Sequence, residues 1–355
     1  MSYRTIDASL CGETAIKTAL LLSSILGIPV EIKNINSKKS PSGLNDQLLK
    51  LIKILKYITN ASVEGFYKNS TSLIFEPKTL KSGAYRINLE GEESISDLLQ
   101  VILPLSIFVP KRFLIAVKGG TDIEDFPTVD WIENVFLPYL EPLASRISLR
   151  IIRRGFSPKG GGFVSLQVES FVSTPLYGLE EIKTFLSSKV NLNRTERGKI
   201  LKIRGISVAH KYLQERKVAE RQRLGAVEYI KEKWNRRSSV NNYYVDADSI
   251  GTSITLWFID EKGNKVGSYA FGRKGKLAEI VGQEAAEKLV EIWELGATVD
   301  QTAAEYLIPL LALAGGQINV PSISEELLKA IEVANILTNT EFEVDENKRI
   351  VRAKI

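Results

Sequence analysis

Residues 94–119 read SISDLLQVILPLSIFVPKRFLIAVKG, an apolar helix over 94–108 followed by a strand in FLIAVKG. The same order recurs on both sides. Upstream, ETAIKTALLLSSIL at 13–26 is an apolar helix, followed by a strand near 28–34, an amphipathic helix near 44–59 and two strands near 62–67 and 72–76. After FLIAVKG come a helix in TVDWIENVFLPYLEPLA (128–144) and strands in RISLRIIRR (146–154) and GFVSLQV (162–168). A third copy starts with VDQTAAEYLIPLLALA (299–314) and continues through QINVP, a helix near 323–337, EFEVDE and RIVRAKI. A period of roughly 80–90 residues indicates duplicated domains rather than a solenoid.

Between copies two and three lies a segment with its own pattern: GKILKIRGISVA, a long charged helix near 215–237, then SITLWFID and VGSYAFG. The expected fold class is α/β (α+β). Three repeated βαβαββ-type units form a large domain, each burying a helical pair on one sheet face, and a smaller α/β domain is inserted between repeats two and three. The expected boundaries are 1–173 for repeats one and two, 174–290 for the insertion and 291–355 for repeat three.

Composition narrows the function classes. With 355 residues, 44% hydrophobic and 25% charged, the chain can bury a substantial core. No run of eighteen or more apolar residues suggests a membrane span, and MSYRTIDASL lacks the layout of a signal peptide, so a cytoplasmic protein is expected. One cysteine, Cys11, and one histidine, His210, cannot make an internal disulfide or a Cys/His zinc site. A metal would need carboxylates, backbone or substrate phosphates. The net charge of +5 favours polyanionic partners.

Several segments together resemble the RNA 3′-terminal phosphate cyclases: SPKGGG after a double arginine, VKGGTD (117–122) followed by VDWIENVFLP, FGRKGKLAEIVGQEA, and AEYLIPLLALAGG. The resemblance spans nearly the whole chain in order, with the insertion where that family carries its small domain. It implies an ATP- and Mg²⁺-dependent activity: a histidine near the start of the third repeat takes AMP from ATP, the AMP passes to an RNA 3′-phosphate, and the neighbouring 2′-hydroxyl displaces it to leave a 2′,3′-cyclic phosphate. The family pattern there is similar to VDEHLADQLIP. This chain has VDQTAAEYLIP, so Thr302 occupies the nucleophile position, with Gln301 before it and Glu305-Tyr306 after. A threonine hydroxyl needs an activating base and would give a stable phosphodiester, so it does not replace an imidazole. His210 lies outside that repeat, and its plain reading is a solvated histidine at a strand end.

The other site segments also differ. Where the family has a glycine-rich GEGGGQ, this chain has SLCGETAI, which keeps Gly12 and Glu13 and puts Thr14 at the glutamine position. Where the family has a pattern like RPKPGLRPQH, KSPSGLNDQL keeps Lys39, Gly43, Leu44 and Gln47 but substitutes Asn45 and Asp46 for Arg-Pro. Gly12, Glu13, Gln100 and Gln301 are the candidate nucleotide contacts if that function is retained. Lys39, Gln47, Lys118, Arg153, Arg154, Lys159, Gly160, Gly161 and Gly162 are the candidate phosphate or RNA contacts, since Arg and Lys supply charge and glycines let backbone approach phosphate oxygens. SPKGGG reads equally as a tight turn between two strands. The charged helix mixes Arg216, Lys217, Arg221 and Arg223 with Glu215, Glu220 and Glu228, as a solvated, salt-bridged face does.

The expected function is therefore a cyclase-like RNA-binding protein that lacks nucleotidyl transfer, similar to the cyclase-like proteins of ribosome assembly. RNA, single-stranded or at 3′ ends, would be its partner, with ribosome-assembly or RNA-processing proteins as further candidates and no membrane; no cofactor would be needed, or ATP and Mg²⁺ if cyclase activity is retained. The alternatives are an active ATP-dependent cyclase with an atypical nucleophile and a small-molecule transferase of enolpyruvyl-transferase-like architecture.

Overall fold

The computed structural model describes residues 3–9, 12–37, 40–176, 178–190 and 192–354. The first unit comprises β1 (Arg4–Asp7), α1 (Glu13–Leu26), β2 (Val30–Lys33), α2 (Asp46–Thr59), β3 (Ser62–Glu64) and β4 (Leu73–Glu76). Its sheet has the order β1-β2-β4-β3, with β1 and β2 parallel and the other pairs antiparallel. The second unit repeats this: β5 (Gly83–Asn88), α3 (Ile95–Phe108), β6 (Arg112–Gly119), a helical stretch, β7 (Ala144–Arg153) and β8 (Gly162–Ser170) form a sheet ordered β5-β6-β8-β7.

That helical stretch is broken, unlike the continuous helix expected over 128–144. It divides into α4 (Val129–Trp131), a π-helical turn (Ile132–Phe136), α5 (Leu137–Leu140) and a 3₁₀ turn (Glu141–Leu143). Pro138 and Pro142 have no amide hydrogen to continue an α-helical ladder. The wider π turn keeps Trp131 and Phe136 both buried and stacked at 6.2 Å.

Next come α6 (Gly178–Ser187) and β9 (Asn193–Arg194), and then the inserted elements: β10 (Ile200–His210), α7 (Val218–Trp234), β11 (Ser239–Val245), β12 (Thr252–Asp260), β13 (Lys265–Phe271) and α8 (Ala278–Glu294). The third unit resumes with α9 (Gln301–Ala314), β14 (Gly316–Asn319), α10 (Glu325–Thr338), β15 (Glu341–Asp345) and β16 (Ile350–Lys354). Its sheet is β15-β16-β14-β9, in which β9 lies parallel to β14. The third unit's opening strand therefore precedes the inserted elements in sequence. The inserted sheet has a different order, β11-β10-β12-β13, with α7 and α8 packed together on it.

Burial explains the helix types. In α3 every residue is buried, as is almost every residue of α1, so these helices form the interior between units. The more peripheral α2 buries Leu48, Leu51, Ile52, Leu55 and Ile58, while Lys53 and Lys56 face outward. One apolar core runs through all three units, and the insertion has a second core built on Ile254, Leu256, Phe258, Val281 and Leu289. Side chains of Asn45, Ser94, Asp300 and Ser324 cap α2, α3, α9 and α10 by accepting a backbone N–H of the first turn.

Candidate active site and nucleic-acid interface

Thr302 is the second residue of α9 and lines a cleft of about 300 Å³ with Tyr269, Lys288, Glu291 and Gln301. Its Oγ1 lies 3.3 Å from the Tyr269 hydroxyl. Burial is the main cause that pushes the Tyr269 phenol up to about 12, so it offers no base to the threonine. Asp300 caps α9 through Oδ1, which accepts from the Ala303 amide at 3.0 Å. Its Oδ2 accepts from Gly267 N at 3.0 Å and from Trp131 Nε1 at 3.3 Å. One carboxylate thus joins the second unit, the insertion and the third unit. Burial raises its pKa from 3.8 to about 6 in spite of these donors.

Gln301 turns away from Thr302. Its amide donates to Ser324 Oγ at 2.9 Å and to Glu305 Oε1 at 3.1 Å, and its carbonyl accepts from Ser322 Oγ at 2.9 Å. Burial raises the pKa of Glu305. Tyr306 is buried edge-on to Trp131 and Phe136, with centroids 5.8 and 5.2 Å away. Gly12 ends beside α10, where an added Cβ would lie 3.8 Å from Glu326 Cγ. Glu13 Oε1 accepts from Asn45 Nδ2 at 2.8 Å, so the asparagine in place of the family's arginine ties α2 to α1. Gln47 joins α2 to α3: it donates to Asp97, and its carbonyl accepts from Ser94 N at 3.1 Å. Gln100 is buried one turn further along α3. Lys39 lies outside the described residues.

His210 corrects an expectation. It is 3% exposed rather than solvated, because the β10 end is covered by the 246–251 loop. Its Nδ1 accepts from Tyr212 N at 3.1 Å, which leaves Nε2 to donate to Ala247 O at 3.2 Å. Both ring nitrogens are committed.

The 153–162 hairpin separates its two arginines. Arg154 is buried: its guanidinium donates to Asp130 at 2.5 and 2.7 Å and to Asp122 at 3.3 Å. Burial opposes its charge, but Asp130 and then Asp122 outweigh that and raise its pKa. Arg153 is half-exposed and pairs bidentately with Asp248 of the insertion at 2.7 and 3.3 Å. Lys118 and Lys159 have exposed side chains, and the Lys159 amide donates to Ser249 Oγ at 3.1 Å. Gly160 and Gly161 have φ of +62° and +74°. A Cβ at Gly160 would lie 2.4 Å from Gly91 O, and one at Gly161 would lie 2.1 Å from Asp248 Oδ2. Gly162 is crowded too, though less tightly, since its Cβ would meet Gly119 O at 2.8 Å. These glycines meet protein backbone and Asp248 rather than open space.

Sequence reasoning missed three buried polar centres: the Lys17–Asp97 ion pair between α1 and α3, the carboxylates around Arg154, and Asp300. The first was signalled by Lys17 inside ETAIKTALLL and Asp97 inside SISDLLQVIL, because such charges are buried only when paired. Among the described residues, no group of three or more His, Cys, Asp or Glu could hold a metal ion. No helix among them is long and apolar enough to cross a membrane.

The repeated α/β units with their inserted domain are consistent with the cyclase fold, and the comparisons show the family. The family model for RNA 3′-terminal phosphate cyclase matches residues 9–344. The chain belongs to this family. Proteins named RNA 3′-terminal phosphate cyclase from Staphylothermus marinus and Pyrobaculum aerophilum are each 35% identical to it, covering 98% and 89% of this chain and 96% and 86% of their own. One from Pyrococcus abyssi is 34% identical over 96% of this chain and 95% of its own.

Proposed function

We propose that this family member binds RNA through its second unit and takes part in RNA or rRNA processing in the cytoplasm without forming a covalent protein-AMP. The observation that carries this reading is Thr302, whose hydroxyl at the start of α9 has a neutral tyrosine for its neighbour, while His210 has both ring nitrogens engaged. Of the candidate nucleotide contacts only Gln301 lines the cleft at Thr302, and that cleft offers little to a polyphosphate. Its lining contains one cation, Lys288, against the carboxyl groups of Asp300 and Glu291, whereas a polyphosphate calls for clustered Arg and Lys. Lys118, Lys159 and, at the cost of its pair with Asp248, Arg153 remain to meet RNA phosphates.

Incubation with labelled ATP and Mg²⁺ should leave no acid-labile label on the protein. Label lost on His210→Ala would instead support a cyclase with an atypical nucleophile. RNA affinity should fall with salt by about 0.7 log units per log salt for each single-strand contact. Reversing Arg153, Lys118 and Lys159 to Glu should weaken binding and flatten that slope. Unchanged binding would mean that the hairpin is only a turn.

A further inference from the structure

The inserted domain contains a second cleft, of about 480 Å³, that shares no lining residue with the one at Thr302. The N-termini of α7 and α8, each 17 residues long, open into it, and neither has a side-chain cap. The Ala219 amide of α7 donates to the Tyr244 hydroxyl at 3.2 Å, and Glu220 and Glu279 lie in the two first turns; the other first-turn amides and the helix dipoles favour an anion. Five cations and no carboxylate line the cleft. Three of the five, Arg221, Arg273 and Lys276, are paired with Glu279, Glu124 and Glu284, which are partly exposed and do not line the cleft. Arg216 and Lys274 are exposed, with no ion pair among the described residues.

An independent feature points the same way. Gln222 lines the cleft and is 0% exposed. Its Oε1 accepts from Ser207 Oγ at 2.8 Å and lies 3.0 Å from Thr252 Oγ1, whose proton goes to Val208 O, and its Nε2 has no partner. That amide faces Gly272 in the cleft wall, where an added Cβ would lie 3.6 Å away. A buried donor without an acceptor is costly, and an anionic oxygen would satisfy it. At the rim, Ile250 and Leu277 are 58% and 62% exposed and offer apolar cover for a base. The volume suits a nucleotide.

We propose that this cleft binds the phosphate of a nucleotide, either free or at the end of an RNA chain. Only the RNA form rests on the RNA-binding reading. The 246–251 loop supports it: Asp248 and Ser249 hold the 153–162 hairpin, while Ile250 and Gly251 line the cleft, so the two surfaces adjoin.

The test is calorimetric titration of the full chain with AMP, inorganic phosphate, and RNA hexamers with and without a 5′-phosphate. AMP should bind saturably and more tightly than phosphate. Arg216→Glu combined with Lys274→Glu, both exposed positions, should weaken it by about tenfold or more, the scale of a lost charge-assisted hydrogen bond. Gln222→Glu keeps the acceptor for Ser207 and replaces the free donor with an acceptor, so it should weaken AMP by a similar factor. The phosphorylated hexamer should bind more tightly than its partner and lose that advantage in the double variant. If the hexamers fail to bind but AMP binds as described, the RNA-binding reading falls and the nucleotide site stands. The proposal is overturned by absence of saturable AMP binding, by phosphate competing as well as AMP, or by AMP affinity unchanged in the double variant.

Discussion

Asp300 and Thr302 are two residues apart, and their environments set different roles. The Asp300 carboxyl is buried at the meeting point of three chain segments, with its pKa raised from 3.8 to about 6. A raised carboxyl pKa means that the folded state holds a proton the unfolded state has released. The associated stability is fully present below pH 3.8 and is lost as pH rises through 6, a change of roughly 3 kcal/mol. Denaturant titrations between pH 4 and 7 should show this fall, and Asp300→Asn should flatten it; an equal slope in the variant would mean that another group titrates there. At Thr302, restoring the family's imidazole should not create a cyclase. Gln301 is held by Ser322 and Ser324, Asn45 by Glu13, and the cleft has a single lysine, so among the described residues these positions are engaged elsewhere rather than poised to hold a phosphorus in line. Thr302→His mixed with ATP, Mg²⁺ and an RNA 3′-phosphate should yield no cyclic ends above the parent protein. The threonine was visible in VDQTAAEYLIP, but the raised pKa of Asp300 was not, because it comes from segments distant in sequence.

The 153–162 hairpin shows how an element's composition can serve structure and charge at once. Its two arginines are adjacent in sequence, but Arg153 ends β7 and Arg154 lies just past it, where the backbone leaves the strand, so Arg154 turns into Asp130 and Asp122 while Arg153 pairs outward with Asp248. Arg154→Met would leave two buried carboxylates uncompensated and should cost about 3–5 kcal/mol in unfolding free energy. Arg153→Met, which breaks a half-exposed pair, should cost within about 1 kcal/mol. Equal effects would contradict the division of roles. Gly161→Ala adds a methyl 2.1 Å from Asp248 Oδ2 at a backbone φ of +74°, so it should destabilise by more than about 1 kcal/mol and loosen the hairpin from the insertion, read as faster amide exchange in the 246–251 loop. Other elements were legible only in part. α1, α3 and α9 were plain from apolar runs, but β1, β5 and β9 are short edge strands with mostly exposed side chains, and RTID, GAYRIN and NR carry little periodicity. Likewise α8 was noticed for its resemblance, not its amphipathic pattern.

At the scale of the molecule, the insertion has its own core but also completes that of the large domain. Trp131 is fully buried, and Gly267 of β13 lies so close that a Cβ there would sit 2.8 Å from Trp131 Cδ1. Thr128 and Thr255 share a hydrogen bond of 2.6 Å, and Asp122 accepts from Ser253 Oγ at 2.7 Å across the same boundary. Residues 196–297 expressed alone should therefore melt cooperatively by circular dichroism. A chain with a short Gly-Ser linker in their place keeps Trp131 as its one tryptophan and should emit as a solvent-exposed indole, with a lower melting temperature, because Trp131 loses its cover; emission typical of a buried indole would mean that the large domain closes by itself. The sequence by itself determined the three-unit architecture, the presence of an insertion and a threonine in VDQTAAEYLIP where the family pattern it resembles has a histidine. These follow from local apolar periodicity and residue identity, which the linear chain carries. Tertiary structure alone decided that Arg154 is an internal counter-ion, that His210 is buried with both nitrogens engaged, and that α7 and α8 bring their N-termini to one basic cleft. Burial and electrostatic pairing depend on residues up to 169 positions apart, as in Trp131 and Asp300, and no local pattern encodes those distances.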